Sequence, residues 1–444
     1  MTTCLFPEAA PFARYSVTRA SMRCKLYRSI LSLTLLVLAL LPALPARAYG
    51  VLTHQAVIDA AWDTSLKPLL LRRYPNATEE ELKQAHAHAY GGSIVQDMGY
   101  YPFGNAFFTD LTHYVRSGDF VESLLRHAGT VEELGFALGA MAHFNADIYG
   151  HPIGTNRAVP LVYPEVGQEY GHAVTYADDA ISHIKTEFGF DVLQVARGSY
   201  APEAYQEFIG FGVAKELLEK AFLETYGLEL GEVFISLPLA IGSYRYTIRG
   251  LFPELTKAAW QAKKSEIQEA QPGVTRRQFT YRMSRAGFHE QWGREYERPH
   301  FFARATAWVM KVLPKLGPLR PLAFVPPTPE AEELYLESFN VTVDKYNAMV
   351  KRLEQRPPQL QNLQLDTGKP TRPGTYPLTD ETYAALLKKL AKAEFKQADE
   401  ALQQHLLLYF KEAKAPDGSD REALKEWEKT QEHLILLQQL HAGR

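Results

Sequence analysis

The chain has 444 residues, of which 46% are apolar and 12% aromatic. This composition excludes a disordered protein and allows one large folded domain with an extension. The formal net charge is −3 at neutral pH, which does not favour broad attraction to nucleic-acid backbones.

The first 48 residues have the order of a secretory signal peptide. The basic stretch Arg23 to Arg28 precedes an apolar run from Ser29 to Leu44, and Ala46-Arg47-Ala48 forms an A-x-A cleavage site. The run is short for a membrane span and contains Pro42, so we expect cleavage after Ala48 rather than a retained anchor. Met22 is an alternative start.

Cleavage would make the mature chain more acidic and free of cysteine. Residues 1–48 contain six Lys/Arg, one Glu and both cysteines, Cys4 and Cys24, so the remainder has a net charge of −8. We therefore expect a periplasmic or secreted protein that folds without disulfides.

The predicted mature chain starts with a candidate metal chelate. Cleavage would expose Tyr49, whose α-amino group and carbonyl can bind a metal in a five-membered ring, with His54 near enough to join them. A surface histidine at a helix start is the alternative for His54. Apolar residues at helical spacing predict a helix from His54 to Leu71.

The next helix is predicted from Thr78, with Glu81 at the capping-box position, to Tyr90. Asp97 and His113 then stand in largely apolar segments, where a single aspartate is by itself more often a cap or turn residue. We interpret His86, His88 and His127 as solvated side chains of polar helix faces.

The strongest motif is AHFNADIYGHP, residues 142–152. His143, Asp147 and His151 recur every four residues, so on a helix all three can face one space. Nitrogen and oxygen ligands at this spacing suit zinc, although a polar helix face with satisfied histidines is an equal alternative for the motif alone. The helix is predicted from Val131 to Tyr149.

A second ligand pair follows a segment that is predicted to be a loop, residues 152–171. His183 and Glu187 lie four residues apart in the predicted helix ADDAISHIKTEFGFDVL, where an ordinary surface contact is the alternative. His172 is left out of the site.

The sequence changes character beyond about Pro253. Lys/Arg/Glu/Gln-rich helices alternate with Pro-rich linkers, and long amphipathic helices are predicted from Tyr383 to Phe410 and from Asp420 to Leu440. We therefore divide the chain into a signal peptide (1–48), an all-α domain (49–252) and a helical C-terminal extension (253–444).

The ligand types and their order resemble the zinc-dependent phospholipase C and S1/P1 nuclease superfamily over Tyr49 to Gly250. The resemblance rests on the aromatic amino terminus with His54 five places on, the H-x3-D helix and the final H-x3-E pair. It implies an all-helical, phospholipase C/P1 nuclease-like fold that binds up to three Zn²⁺ ions.

The resemblance also implies an assignment of ligands to ions. One zinc would take Asp97, His113, His143 and Asp147; a second would take His151, His183 and Glu187; the third would take Tyr49, His54 and the other oxygen of Asp147.

Three features depart from the family pattern. Tyr49 stands where Trp is usual, the spacing from Asp147 to His151 is shorter, and the segment between His113 and His143 is shorter. His172 is an alternative to His151 or His183, but Tyr176 occupies the place of its partner carboxylate.

Zinc acidifies a bound water and neutralises a phosphoryl oxygen, so the expected reaction is phosphate-ester hydrolysis, with Asp97 steering the attacking water.

The leading hypothesis is a phospholipase C that acts on phospholipid at a membrane surface, without nucleic acid as a partner and without a transmembrane span in the mature chain. The alternatives are an S1/P1-like nuclease or 3′-nucleotidase, and a non-catalytic zinc-binding protein. Apolar and aromatic side chains around Asp97 could meet acyl chains in a phospholipase or stack bases in a nuclease: Met98, Tyr100, Tyr101, Phe103, Phe107 and Phe108.

Overall fold

The computed structural model describes residues 50–197, 211–244, 260, 264–265, 267–268, 325–417 and 420–442. These ranges are mainly helical, and the strands within them form one short antiparallel hairpin, which confirms the all-α fold class. The helices are α1 (Val51–Ala61), α2 (Lys67–Arg73), α3 (Glu79–Gly92), α4 (Ala106–Tyr114), α5 (Ser117–His127), α6 (Val131–Gly150), α7 (Asn156–Val162), α8 (Pro164–Tyr170), α9 (Ala180–Arg197), α10 (Lys215–Tyr226), α11 (Leu230–Val233), α12 (Pro329–Leu353), α13 (Pro377–Lys392), α14 (Glu400–Glu412) and α15 (Arg421–Ala442); the strands are β1 (Leu363–Gln364) and β2 (Lys369–Pro370). Short helical turns of different pitch occupy Trp62–Leu66, Val95–Tyr100 and His151–Thr155.

The starts of α3 and α6 are fixed by their own sequences. Thr78 caps α3 through a reciprocal capping box with Glu81, as predicted, and Thr130 and Glu133 form the same motif at α6. Each box satisfies amide groups that lack a partner within the helix. Both helices therefore begin directly after their capping threonines. Helix α3 continues through Gly91 and ends at Gly92.

Helices α3 and α6 approach so closely that small residues are needed between them. A Cβ atom added to Gly135 would lie 2.4 Å from the carbonyl oxygen of Ala85, and one added to Gly139 would lie 2.1 Å from that of Ala89. This contact fixes α6, which is buried over most of its length, against α3.

The prediction that residues 152–171 form a loop is wrong, because the segment is mainly helical. Pro164 occupies the first turn of α8, where the missing N–H is not needed. Pro160 lies inside α7 and cannot donate to the carbonyl of Asn156, but that carbonyl accepts from the amide of Val174 at 2.8 Å. A contact distant in sequence therefore replaces the lost helical hydrogen bond.

The C-terminal helix α12 packs along the helices of the N-terminal half. The Tyr346 hydroxyl donates to the carbonyl of Leu138 at 2.8 Å, and Asn145 Nδ2 donates to the carbonyl of Thr342 at 2.8 Å. The helical character predicted for this region is present where it is described, and the boundary at residue 252 stays a prediction.

The prediction of one helix from Tyr383 to Phe410 is wrong, because the chain forms α13 and α14 with a sharp break between them. Glu394 and Phe395 both have φ of 55°, and Asp399 caps α14 by accepting from Leu402 N at 2.7 Å. Phe395 is 3% exposed, so burial of its ring accompanies the break. No helix in the described ranges combines the length and apolar character needed to cross a bilayer.

Candidate metal centre

Eight of the nine candidate ligands converge in the interior, and each is at most 1% exposed. They come from α1, the Val95–Tyr100 turn, α4, α6, the His151–Thr155 turn and α9. Tyr49 lies outside the described residues. The eight are His54, Asp97, His113, His143, Asp147, His151, His183 and Glu187.

Asp147 lies at the middle of this cluster, with its two carboxylate oxygens facing different imidazoles. Oδ1 is 3.5 Å from His54 Nε2 and 3.5 Å from His151 Nε2, whereas Oδ2 is 3.4 Å from His113 Nε2 and 3.1 Å from His143 Nε2. Burial by itself raises the pKa of Asp147, but His143 and His151 outweigh it and hold that pKa well below the ordinary value. The carboxylate is thus suited to bridge two cations.

His113 and His143 point lone pairs at each other. Nδ1 of His113 lies 2.9 Å from the carbonyl of Thr109, and Nδ1 of His143 lies 2.9 Å from that of Ser93, so in each ring Nδ1 carries the proton. The two Nε2 atoms are therefore acceptors in the neutral rings, yet they are only 3.3 Å apart. Such an arrangement requires a proton or a metal ion between them, and a backbone carbonyl behind the ring is the usual support of a metal-binding histidine.

The protonation of these rings is strongly biased by the neighbouring carboxylates. Burial would lower the pKa of His113, but Asp147 and Asp97 raise it well above the ordinary value. Burial lowers the pKa of His54, and the neighbouring His143 lowers it further. The lowered pKa keeps the His54 ring neutral, which is the form of imidazole that binds a metal ion.

The His151–Thr155 turn after α6 and helix α9 bring His151, His183 and Glu187 together. His183 Nε2 lies 3.0 Å from His151 Nδ1 and 2.9 Å from Glu187 Oε1. Neither oxygen of Glu187 accepts a hydrogen bond from the described residues, and burial raises its pKa well above the ordinary value. A buried carboxylate without hydrogen bonds is unfavourable unless a cation accompanies it.

Asp97 is placed by the short turn between α3 and α4. Gln96 Nε2 donates to the carbonyl of Ala140 at 3.1 Å, and the Gln96 carbonyl accepts from Thr109 Oγ1 at 2.7 Å, so the turn is tied to α6 and to α4. Asp97 Oδ1 then lies 3.4 Å from His113 Nε2.

The donor atoms fit zinc. Three buried groups, each with its ligand atoms within 4.8 Å of one another, combine the imidazole nitrogens and carboxylate oxygens that zinc binds. The groups are His54 with His143 and Asp147; Asp97 with His113 and His143; and His151 with His183 and Glu187. The shared His143 shows that the first two groups are adjacent.

Residues 53–236 match the family model described as zinc dependent phospholipase C. This part of the chain belongs to the zinc-dependent phospholipase C family. Searches of curated proteins and of solved structures returned no match.

The zinc-dependent phospholipase C domain is a hydrolase of phosphoric esters, with Zn²⁺ as its cofactor. The matched segment contains all eight described candidates. Their assignment to individual ions stays a prediction.

The excluded histidines lie apart from the three groups. His172 is exposed. His86 is 8% exposed rather than solvated, because its ring stacks on Trp62 with centroids 3.7 Å apart and its Nε2 lies 3.3 Å from Asp59 Oδ1. The prediction of a solvated His86 is therefore wrong.

Sequence reasoning missed two buried carboxylates near the candidate metal centre. Asp191 follows Glu187 by one helical turn, a spacing that signals the same face of α9. Asp366 accepts hydrogen bonds from Tyr114 and Tyr376, and the neighbouring Leu365 N donates to the carbonyl of His113 at 3.2 Å. Asp366 lies in a Pro-rich segment outside the family match, where no sequence signal identifies it.

Proposed function

We propose that this protein is a periplasmic or secreted phospholipase C that hydrolyses glycerophospholipids at a membrane surface with three zinc ions. The observation that carries the proposal is the position of Asp147, whose two oxygens face separate sets of imidazoles. A bridging carboxylate of this kind is expected between two closely spaced zinc ions.

The proposed ligand sets keep the order of the sequence. Asp97, His113, His143 and Asp147 would hold one ion; His151, His183 and Glu187 a second; and His54, Asp147 and the amino terminus at Tyr49 a third. The last set requires removal of residues 1–48, because a free amino group is needed at Tyr49.

Zinc supplies an acidified water and neutralises the phosphoryl oxygens when it is bound. Asp97 is the proposed catalytic residue, and its buried Oδ1 accepts no hydrogen bond from the described chain. This oxygen can accept a hydrogen bond from the attacking water and so orient the water oxygen towards phosphorus. It can then accept the proton as the water attacks. The P–O bond to glycerol breaks as the new P–O bond forms, and the leaving oxygen gains the proton, giving diacylglycerol and a phosphorylated head group.

The support for a lipid substrate comes from the family rather than from the residues that follow Asp97. Of the six apolar side chains expected to meet acyl chains, Met98, Tyr101 and Phe108 lie in the core and Tyr100 is 5% exposed. Phe103 is 41% exposed, and Phe107 is partly buried. The expected acyl-chain surface is therefore reduced to these two rings.

The deciding experiment is a competition assay on the chain that starts at Tyr49. Phosphatidylcholine vesicles and single-stranded DNA are offered together, with and without a zinc chelator, and the release of phosphocholine and of nucleotides is measured. Chelator-sensitive phosphocholine release supports the proposal. Nucleotide release alone would instead identify a nuclease, and release of neither product would favour a zinc-binding protein without turnover.

The role of Asp97 is tested against a surface acid of the same type. Asp97→Asn should lower kcat by about 100-fold or more, since general acid–base catalysis contributes on that order. Asp63→Asn, on an exposed side chain, should leave kcat unchanged. Equal activity of Asp97→Asn and the control would refute the catalytic assignment.

A further inference from the structure

The first helix lacks a cap of its own. The amide groups in the first turn of a helix have no partner within it, and Gly50, at the N-cap position, offers no side chain. Asp191 of α9 supplies the missing acceptors from 139 residues away: Oδ2 accepts from Leu52 N at 3.1 Å, and Oδ1 accepts from Thr53 N at 3.0 Å. A carboxylate is also favoured here by the helix dipole.

The contact is extended by the side chain of Thr53. Its hydroxyl donates to Asp191 Oδ1 at 3.0 Å and lies 3.1 Å from the hydroxyl of Tyr335 on α12. Asp191 is 2% exposed and Thr53 is fully buried, so water does not compete for these bonds. The start of α1 is therefore held by two other helices.

Close packing at Gly50 reinforces this fixed position. A Cβ atom added to Gly50 would lie 2.2 Å from Asp191 Oδ1, far inside a normal contact. Only glycine lets the backbone come this close to the carboxylate.

Asp191 connects two of the metal-binding groups. On α9 it lies one turn after Glu187 and two turns after His183, while on α1 it binds Thr53, the residue directly before His54. His54 in turn stacks on His143 with ring centroids 4.2 Å apart. One carboxylate thus links the start of α1, next to His54, to the helix that carries His183 and Glu187.

We propose that Asp191 is a positioning residue for the third zinc. It holds the start of α1 so that His54 faces Asp147, and it couples this group to the ligands on α9. The proposal rests on the three-zinc function proposed above, and it assigns to Asp191 no contact with the metal itself.

Two variants disturb the contact by different means. Asp191→Asn keeps the shape but turns an NH₂ group towards an amide donor, and Gly50→Ala forces the carboxylate away. Asp399→Ala is the control, because Asp399 caps α14 by the same kind of bond to Leu402 N. All three should lower the melting temperature, whereas only the first two should affect zinc.

The zinc content of each purified variant of the chain that starts at Tyr49 is measured by mass spectrometry, together with the visible spectrum after replacement by cobalt. We expect Asp191→Asn and Gly50→Ala to bind one of three ions about 10–100-fold more weakly, as for other residues that orient a ligand. They should keep the other two ions, and added zinc should restore kcat with KM unchanged.

Three ions bound with wild-type affinity in both variants would overturn the proposal. The same loss of zinc in Asp399→Ala would also overturn it, because the effect would then follow from reduced stability alone. A wild-type chain that binds fewer than three ions would instead refute the three-zinc function, and the role of Asp191 with it.

Discussion

Gly139→Ala tests whether the contact between α3 and α6 positions the metal centre. The new methyl group would lie 2.1 Å from the carbonyl oxygen of Ala89 and 2.8 Å from Ser93 N, against ordinary contacts of 3.4–4 Å. Both neighbours are backbone atoms, which cannot rotate aside. Ser93 also accepts from His143 Nδ1 through its carbonyl, so a shift of α3 reaches a candidate ligand.

Two effects of opposite sign determine the magnitude. Replacing glycine by alanine inside a helix stabilises it by roughly 1 kcal/mol. Overpacking in a core typically costs about 1–3 kcal/mol, and the backbone clash at Gly139 places it at the upper end or beyond. We expect a net loss of about 1–2 kcal/mol in the free energy of unfolding, with weaker zinc binding because His143 loses its support.

Urea unfolding of the metal-free protein, followed by circular dichroism, measures this free energy, and zinc titration measures the affinity. Gly231→Ala is the matched control, since a Cβ atom there has no neighbour within 4 Å. The control should be neutral or stabilising. A Gly139→Ala protein as stable as wild type, or as stable as the control, would refute the role of close helix packing.

Three further predictions concern the site and its surroundings. His143→Ala should reduce the zinc content because it removes a ligand shared by two groups, whereas His172→Ala, at an exposed position, should not. Unchanged zinc content in His143→Ala would count against the assignment of His143 on α6 as a zinc ligand. Burial raises the pKa of Asp110 to about 6, so its charge costs stability as pH rises from about 4 to 6. In the metal-free protein, Asp110→Asn should therefore raise the unfolding free energy at about pH 7 by up to about 3 kcal/mol and leave it unchanged at about pH 4; urea titrations at both values check this. Tyr376→Phe removes a donor to buried Asp366 and should cost about 1–3 kcal/mol in urea unfolding with no change in zinc content, and a fully stable variant would show that this bond is unimportant.

The candidate ligands were predictable because their spacing is a local property. His143 and Asp147 share a face of α6, and His151 follows in the next turn; Thr130 with Glu133 starts that helix from four consecutive residues. The ligand types then indicated zinc, and the order of the ligands indicated the family that residues 53–236 match.

Local patterns failed where distant contacts altered the helices. Val174 satisfies the carbonyl that Pro160 leaves free, so a segment that reads as a loop forms α7. Burial of Phe395 accompanies the break between α13 and α14, although the apolar spacing continues across it.

Residue order alone thus fixes the helical class, the ligand types and the shared helix faces of His143 with Asp147 and of His183 with Glu187, because hydrogen bonds within a helix set a period that can be read from the sequence. Helix packing, in contrast, determines which oxygen of Asp147 faces which histidine and brings Asp191 and Asp366 beside the candidate metal groups. His54 and His113 lie on helices other than that of Asp147, and Asp191 and Asp366 are far in sequence from Thr53 and Tyr114, so these distances depend on how the helices pack.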